Sequence, residues 1–259
     1  MDARTRILPS EPPGGGPAIA ATALWGAAGG LRMQLLTEEE RARLAVISSI
    51  VRFAKGEQIY RQGEAADSVF NIVCGVVKSY RVLAGEREHI AAFLFPGDLI
   101  GLMEEGNYVN SARAVTPVTA YRIPAAALKT RLQKDAEIEF HVISKVVHDL
   151  REAQRHAFLL SQHRAATKLA LFLQMLENQQ ISRGENADEI YLPMRRSDIA
   201  DYVGISIEAV SRSLRALESD GILALKNRRH IEILDRRGLA AIAMQREPRD
   251  VPARRAGQD

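Results

Sequence analysis

The residues best suited to chemistry lie close together late in the chain. Ile207, Glu208, Ser211, Arg212 and Arg215 fall at i, i+1, i+4, i+5 and i+8, on one side of a helix. A guanidinium can donate to both the O6 and N7 acceptors of guanine, and a carboxylate can accept from the N4 amino group of cytosine. That chemistry reads base edges; it does not make or break bonds. Glu208, Ser211 and Arg212 are therefore the candidate base readers. Ser206, Ile207, Arg215 and Arg196 are candidate supporting contacts to DNA, with Lys226, Arg228 and Arg229 further along.

Two short helices and a tight turn must position these side chains. The stretch RRSDIADYVGISIEAVSRSLRALESDG runs from Arg195 to Gly221. Ser197 is placed to N-cap the first helix, with Ile199 and Val203 four apart on its buried face. Gly204 supplies the turn, Ser206 caps the second helix and Gly221 ends it. Val210, Leu214 and Leu217 face inward from the second helix. A packed rear face with a small polar front face suits the major groove, as in a helix-turn-helix. The pattern also fits an ordinary helical hairpin with a solvated charged face. A hairpin pattern then follows at once: Ile222-Leu-Ala-Leu225, the polar turn Lys226-Asn-Arg-Arg-His230, and Ile231-Glu-Ile-Leu234. Its basic tip is placed as a wing that could meet phosphates.

The bulk composition narrows the class. A chain of 259 residues suits two modest domains better than one. Net charge is only +3, which alone does not indicate nucleic acid, but basic residues gather around the helix-turn-helix and hairpin. The single cysteine, Cys74, excludes an intrachain disulfide and cannot by itself build a zinc or iron–sulfur site. It reads as a buried small apolar residue in a reducing cytoplasm. No apolar run approaches membrane-spanning length. Residues 18–28 loosely resemble a signal-peptide core, but Pro and Gly surround them and they read as disordered tail.

Taken in order, residues 1–30 are Pro-, Gly- and Ala-rich, and residues 35–47 read as a short helix with a Thr37/Glu40 capping-box spacing. From 52 to 124, short alternating apolar runs are punctuated by glycines. Residues 68–73, 76–82, 89–95 and 119–123 read as strands of a sandwich or barrel. This region holds neither a paired nucleophile and base nor a phosphate-cradling GxxxxGK[ST] motif. A helical tract follows from about 135 to 160. Ile143, Val146, Leu150, Ala153, Ala157 and Leu160 alternate at three and four, which is a heptad seam for a partner helix. One amphipathic helix packed on its own domain gives the same pattern. Ile138, Val142 and Val147 lie off the seam, so the favoured reading is a dimer helix that also touches the β domain. His141, His148, His156 and His163 are seven or eight apart rather than four, and read as solvated or incidental rather than as metal ligands. A hinge is expected at 161–163, an apolar helix over 165–176, a loop at 184–188, and a short helix capped by Asp235.

Three runs carry a resemblance. They are Lys55-Gly-Glu-Gln-Ile-Tyr-Arg-Gln-Gly63, Asp67-Ser-Val-Phe-Asn-Ile-Val-Cys-Gly75 and Phe95-Pro-Gly-Asp-Leu-Ile-Gly101. Together they resemble the β-roll of the Crp/Fnr transcription regulators, and the long helix and winged helix-turn-helix follow in that family's order. Glu208-Ala-Val-Ser-Arg212 is similar to the E-x-x-S-R motif of the Fnr and FixK branch, which reads TTGA-type inverted repeats. The wider sequence looks most like FixK-type regulators of alphaproteobacteria. The implied fold is α+β: a tail over 1–30, a cyclic-nucleotide-binding-like β-roll over 31–134, a dimerisation helix over 135–161, a winged helix-turn-helix over 162–244 and a polar tail over 245–259.

Two departures qualify what the resemblance implies. Fnr holds an iron–sulfur cluster with several cysteines, and this chain has Cys74 alone. The cyclic-AMP branch carries a Glu directly after the β-roll glycine and an Arg ahead of the next strand. Here Leu102 follows Gly101, the arginine position falls near Tyr108 to Asn110, and Arg113 belongs to the following strand. The expectation is a cytoplasmic homodimeric activator that binds double-stranded DNA and RNA polymerase, with no cofactor, no membrane contact and no enzyme activity. The rival readings are a regulator gated by a small molecule in the β-roll, and a cyclic-nucleotide-binding module that acts on a protein partner.

Overall fold

The computed structural model describes residues 44–82, 88–102, 106–185 and 188–244. They fall into two compact units, which divide between Arg155 and His156; Ser182–Gly184 belongs with the first. The helix expected over 35–47 lies almost wholly outside the described residues, as do both terminal tails.

The first unit is built on eight strands: β1 Ser49–Phe53, β2 Gln58–Tyr60, β3 Ser68–Cys74, β4 Val77–Val82, β5 Glu88–Leu94, β6 Leu99–Ile100, β7 Ser111–Ala114 and β8 Val118–Pro124. They form two antiparallel four-stranded sheets, β1-β8-β3-β6 and β2-β7-β4-β5. Alternation along β3 and β8 assigns their side chains to two clusters. Phe70, Ile72, Val118 and Ala120 join Tyr60, Val77, Ile100, Ala112 and Ala114 from both sheets in the β-roll core. Val69 and Ile123, paired across the strands, point to a second cluster instead. That cluster takes in Leu128 and Leu132 of helix α1 (Ala125–Leu132) and Ile138 and Val142 of helix α2 (Ala136–Ser161). The long helix thus packs on the β-roll through its first two turns.

Cys74 departs from the sequence reading: it is exposed, not buried. Strict alternation would set it on the face of Ile72. A register shift between Ile72 and Cys74 turns it away from the core. The histidines depart too. His148 is buried and His156 is half-buried, so neither is simply solvated.

Helix α2 ends at Ser161, and in the second unit the chain continues as helix α3, Ala165–Ser182, longer than its apolar run suggested. Leu169, Phe172, Leu173 and Leu176 are buried along it. Helices α4 (Arg196–Val203) and α5 (Ile207–Ser219) form the helix-turn-helix. Strands β10 (Leu223–Leu225) and β11 (His230–Ile233) form the hairpin, and β9 (Glu189–Tyr191) pairs with β11 as a third strand. Helix α6, Arg236–Met244, closes the described chain. The architecture is the α+β arrangement expected from the sequence.

Candidate nucleic-acid interface

Local chemistry fixes the two helices. Helix α4 begins one residue before Ser197, so Ser197 is not its cap. Arg195 is the cap residue, and its backbone N–H donates to the Asp198 carboxylate at 3.0 Å. The sequence pattern favoured Ser197 because its hydroxyl is a common cap; an acidic group at the third helical position serves instead. Gly204 ends α4 at φ 68°, and its N–H donates to the Ala200 carbonyl at 2.9 Å. The left-handed backbone favours glycine there, and a Cβ would also press on the Leu160 side chain at 3.2 Å. Ser206 caps α5, its hydroxyl accepting from Ala209 N–H at 3.1 Å.

Helix α5 has two distinct faces. Val210, Leu214 and Leu217 are 0–2% exposed on the rear. Ile207, Glu208, Arg212 and Arg215 are exposed on the front. Ser211 is only half-exposed, and its hydroxyl donates back to the Ile207 carbonyl at 3.1 Å, so it is partly spoken for. Glu208 accepts from its own backbone N–H and from the Ser206 hydroxyl, and Arg212 adds attraction; together these hold its carboxyl below the usual range. It is therefore a standing acceptor at neutral pH. Arg196 differs from the other arginines. It is half-buried, its burial disfavours the charged form, and its buried Nη1 finds no hydrogen-bond partner among the described residues.

The hairpin tip is organised by a residue that the sequence reading passed over. Asn227 Oδ1 accepts from the backbone N–H groups of Arg229 (2.8 Å) and His230 (3.1 Å). The Asn in the Lys226–His230 turn was the available signal, since such side chains hydrogen-bond to backbone two residues on. Lys226 is held by Glu232 at 2.6 Å, and Arg229 donates to the Tyr191 hydroxyl at 3.4 Å. Arg228 stands exposed at the tip. Against α4, His156 stacks on Tyr202 with ring centres 4.0 Å apart, and its Nε2 meets the Tyr202 carbonyl at 2.8 Å. Lys168 donates to the Gly204 carbonyl at 3.5 Å, so the turn is braced from α2 and α3 as well.

On α2, the seam residues Ile143, Val146, Leu150 and Leu160 are 42–58% exposed, and Ala153 and Ala157 are also exposed. Phe140, Val147 and Phe158, outside the expected seam, are exposed too, whereas Ile138 and Val142 are buried in the second apolar cluster. The helix thus carries a broad exposed apolar face, of the kind that marks interaction sites.

In the β-roll, the positions expected to cradle a cyclic phosphate carry other side chains. No Lys or Arg occurs between Gly101 and Ala112. Tyr108 is buried, stacks on Tyr60 at 3.8 Å and donates to the Ser68 carbonyl at 2.7 Å. Leu102 packs against the second apolar cluster. Arg113 lies on β7 and is engaged by Glu88 (2.5 Å) and the Tyr80 hydroxyl (2.6 Å). The described residues therefore do not fit a cyclic nucleotide phosphate, which needs a free guanidinium.

A β-roll, a long connecting helix and a winged helix-turn-helix with a basic, polar reading face define a two-domain DNA-binding regulator. Comparison with known proteins agrees. Residues 50–135 match the cyclic nucleotide-binding domain model, and residues 167–242 match the Crp-like helix-turn-helix domain model. The chain is 31% identical over 175 residues to the nitrogen fixation regulation protein FixK of Bradyrhizobium diazoefficiens, covering 68% of this chain and 74% of that one. It is 31% identical over 197 residues to FixK of Azorhizobium caulinodans, covering 76% and 79%. The solved structure of FixK2 from Bradyrhizobium japonicum superposes with a TM-score of 0.72 at 29% identity, over 78% of this chain and all of that one. The chain belongs to the Crp/Fnr family of transcription regulators, in its FixK-like branch.

Proposed function

We propose that this regulator binds a TTGA-type inverted repeat as a homodimer and activates transcription by recruiting RNA polymerase, in the cytoplasm and without enzyme activity. The observation that carries the reading is the front of α5: an ionised Glu208 and an exposed Arg212 one turn apart on a rigid, capped helix. The G·C pair of the half-site presents guanine acceptors to Arg212 and a cytosine donor to Glu208. Ile207 offers an apolar contact to a thymine methyl group. Arg215, Arg196, Arg228 and Arg229 answer phosphates, with Lys226 shared between Glu232 and the backbone of DNA. The bare apolar face of α2, covered by its symmetry mate, supplies the two-fold axis that an inverted repeat demands.

The stacked Tyr108 and the committed Arg113 support activity without cyclic AMP, and a single exposed cysteine supports activity without an iron–sulfur cluster. Fluorescence anisotropy on a TTGA inverted-repeat duplex tests this. Binding is expected with nothing added and unchanged by cyclic AMP; a requirement for cyclic AMP contradicts it. One observation favours a second reading, gating by another small molecule. An open cavity of about 540 Å³ lies beside Phe53, Tyr60, Phe70 and Tyr108, with Arg122 at its rim. Full operator affinity in the purified protein, with no ligand supplied, would argue against that reading.

A further inference from the structure

A buried charge cluster ties the β-roll to the long helix. Lys145 is 2% exposed, yet it lies at the middle of α2, on the same side as Ile138 and Val142. Its Nζ is 3.3 Å from Asp98 Oδ1 and is bonded to Asp149 one turn further along the helix. Asp98 is itself buried, and its other oxygen accepts from Phe95 N–H at 2.8 Å, closing the turn before β6. That turn is pinned to β3: Gly97 N–H donates to the Ile72 carbonyl at 2.8 Å, and Ile72 N–H donates to the Asp98 carbonyl at 2.9 Å. The strand it launches ends at Gly101, where a Cβ would strike the Tyr108 ring and the Ser68 carbonyl at 2.9 Å. The turn, the strand and the Tyr108 stack are thus in direct contact with one another.

We propose that Lys145 is the positioning residue that relays the state of the β-roll turn at Phe95–Gly101 to the DNA-binding unit, through its ion pair with Asp98. This rests on the DNA-binding reading above. The relay has a covalent second half: α2 runs unbroken from Ala136 to Ser161 and so crosses from the first unit into the second. Burial opposes the lysine's charge, but the two carboxylates more than compensate, and Lys145 stays protonated. A buried cation cannot tolerate losing a partner. A shift of the turn must then be followed by the helix, whose adjacent face carries Val146 and Leu150 of the seam. The cluster is a two-ended contact rather than a surface ornament, since surface pairs contribute little.

Coupling is reciprocal, so DNA bound at one end must be felt at the turn. Hydrogen exchange on the full chain, with and without the TTGA duplex at saturation, reads this. In the wild type the duplex should slow exchange in the peptide covering 95–101 by about 5-fold or more, alongside protection of α5. Lys145→Arg should keep that response. Lys145→Met should still protect α5 at saturating duplex but lose the response at 95–101. Should Lys145→Met fail to fold, Asp98→Asn, which retains an acceptor for Phe95 N–H, carries the same expectation. Protection of α5 without any change at 95–101 in the wild type overturns the relay, as does a full response in Lys145→Met or Asp98→Asn. Absence of protection at α5 in the wild type instead defeats the DNA-binding reading, and the relay with it.

Discussion

In the proposed reading Arg212 and Glu208 divide one base pair between them, and their substitutions should fail differently. Arg212→Ala removes a bidentate donor and should cost about 1–3 kcal/mol of discrimination at the G·C pair. Glu208→Ala should relax specificity more than it lowers affinity, because a carboxylate also repels phosphates. Its fold-back onto its own backbone N–H and Ser206 means that it must release those bonds to reach a base. Arg228→Ala at the wing tip should weaken binding to all sequences and flatten the salt dependence. Parallel isotherms on half-sites with and without the G·C pair, at two salt concentrations, separate the three outcomes. Two histidines give a pH prediction. Burial is the main cause that lowers the pKa of both His148, beside Lys145, and His156, against Tyr202. Their folded values lie below the ordinary 6.5, so the fold prefers them neutral. Their contribution is complete above that value and is lost as pH falls below it. Asp149, raised by burial, acts with the opposite sign nearer the carboxylate range. Thermal melting should show Tm falling as pH drops from about 7.5 to about 5.5, with a smaller drop in a His148→Gln, His156→Gln double variant. An equal drop in that variant contradicts the assignment.

At the scale of elements, α2 and the α4–α5 turn carry the sharpest expectations. Leu150→Asp places a charge in the proposed seam and should yield monomers in sedimentation, with operator affinity collapsing. A variant that stays dimeric moves the interface elsewhere on the surface. Gly204→Ala should destabilise the second unit by about 1–2 kcal/mol from the left-handed backbone alone, read as a lowered denaturation midpoint. These elements were the most legible part of the sequence, because caps, glycine turns and three-four spacing are local signals. The rear face of α5 and the hairpin strands lay where the pattern put them. Strands β1, β2, β6, β7 and β9 went unread; β2, β6 and β9, of two or three residues, are too short to display alternation. Cys74 was misread because a bulge, which sequence does not advertise, reverses its face. Lys145 and His148 were missed for a different reason: their burial depends on the turn at Asp98, some fifty residues away, and no local pattern encodes that meeting.

At the scale of the whole molecule, the first unit has the cyclic nucleotide-binding fold, while Tyr108 is buried against Tyr60 and Arg113 is held by Glu88 and Tyr80. A protein of this kind should need no cyclic AMP. Calorimetry should show no saturable cyclic-AMP binding in the micromolar range; such binding, with a gain in operator affinity, contradicts the reading of Tyr108 and Arg113. Affinity should instead fall with salt according to the phosphates contacted, from both protomers together. The central claim, that a two-fold pair of α5 helices reads an inverted repeat, is tested most directly by binding stoichiometry and affinity on three duplexes: an intact TTGA inverted repeat, one with a single half-site scrambled, and one with both scrambled. Two protomers per intact duplex are predicted, with affinity falling at each step of scrambling and a further loss of the intact-site preference in Arg212→Ala. One protomer per duplex, or equal affinity for all three, would contradict it.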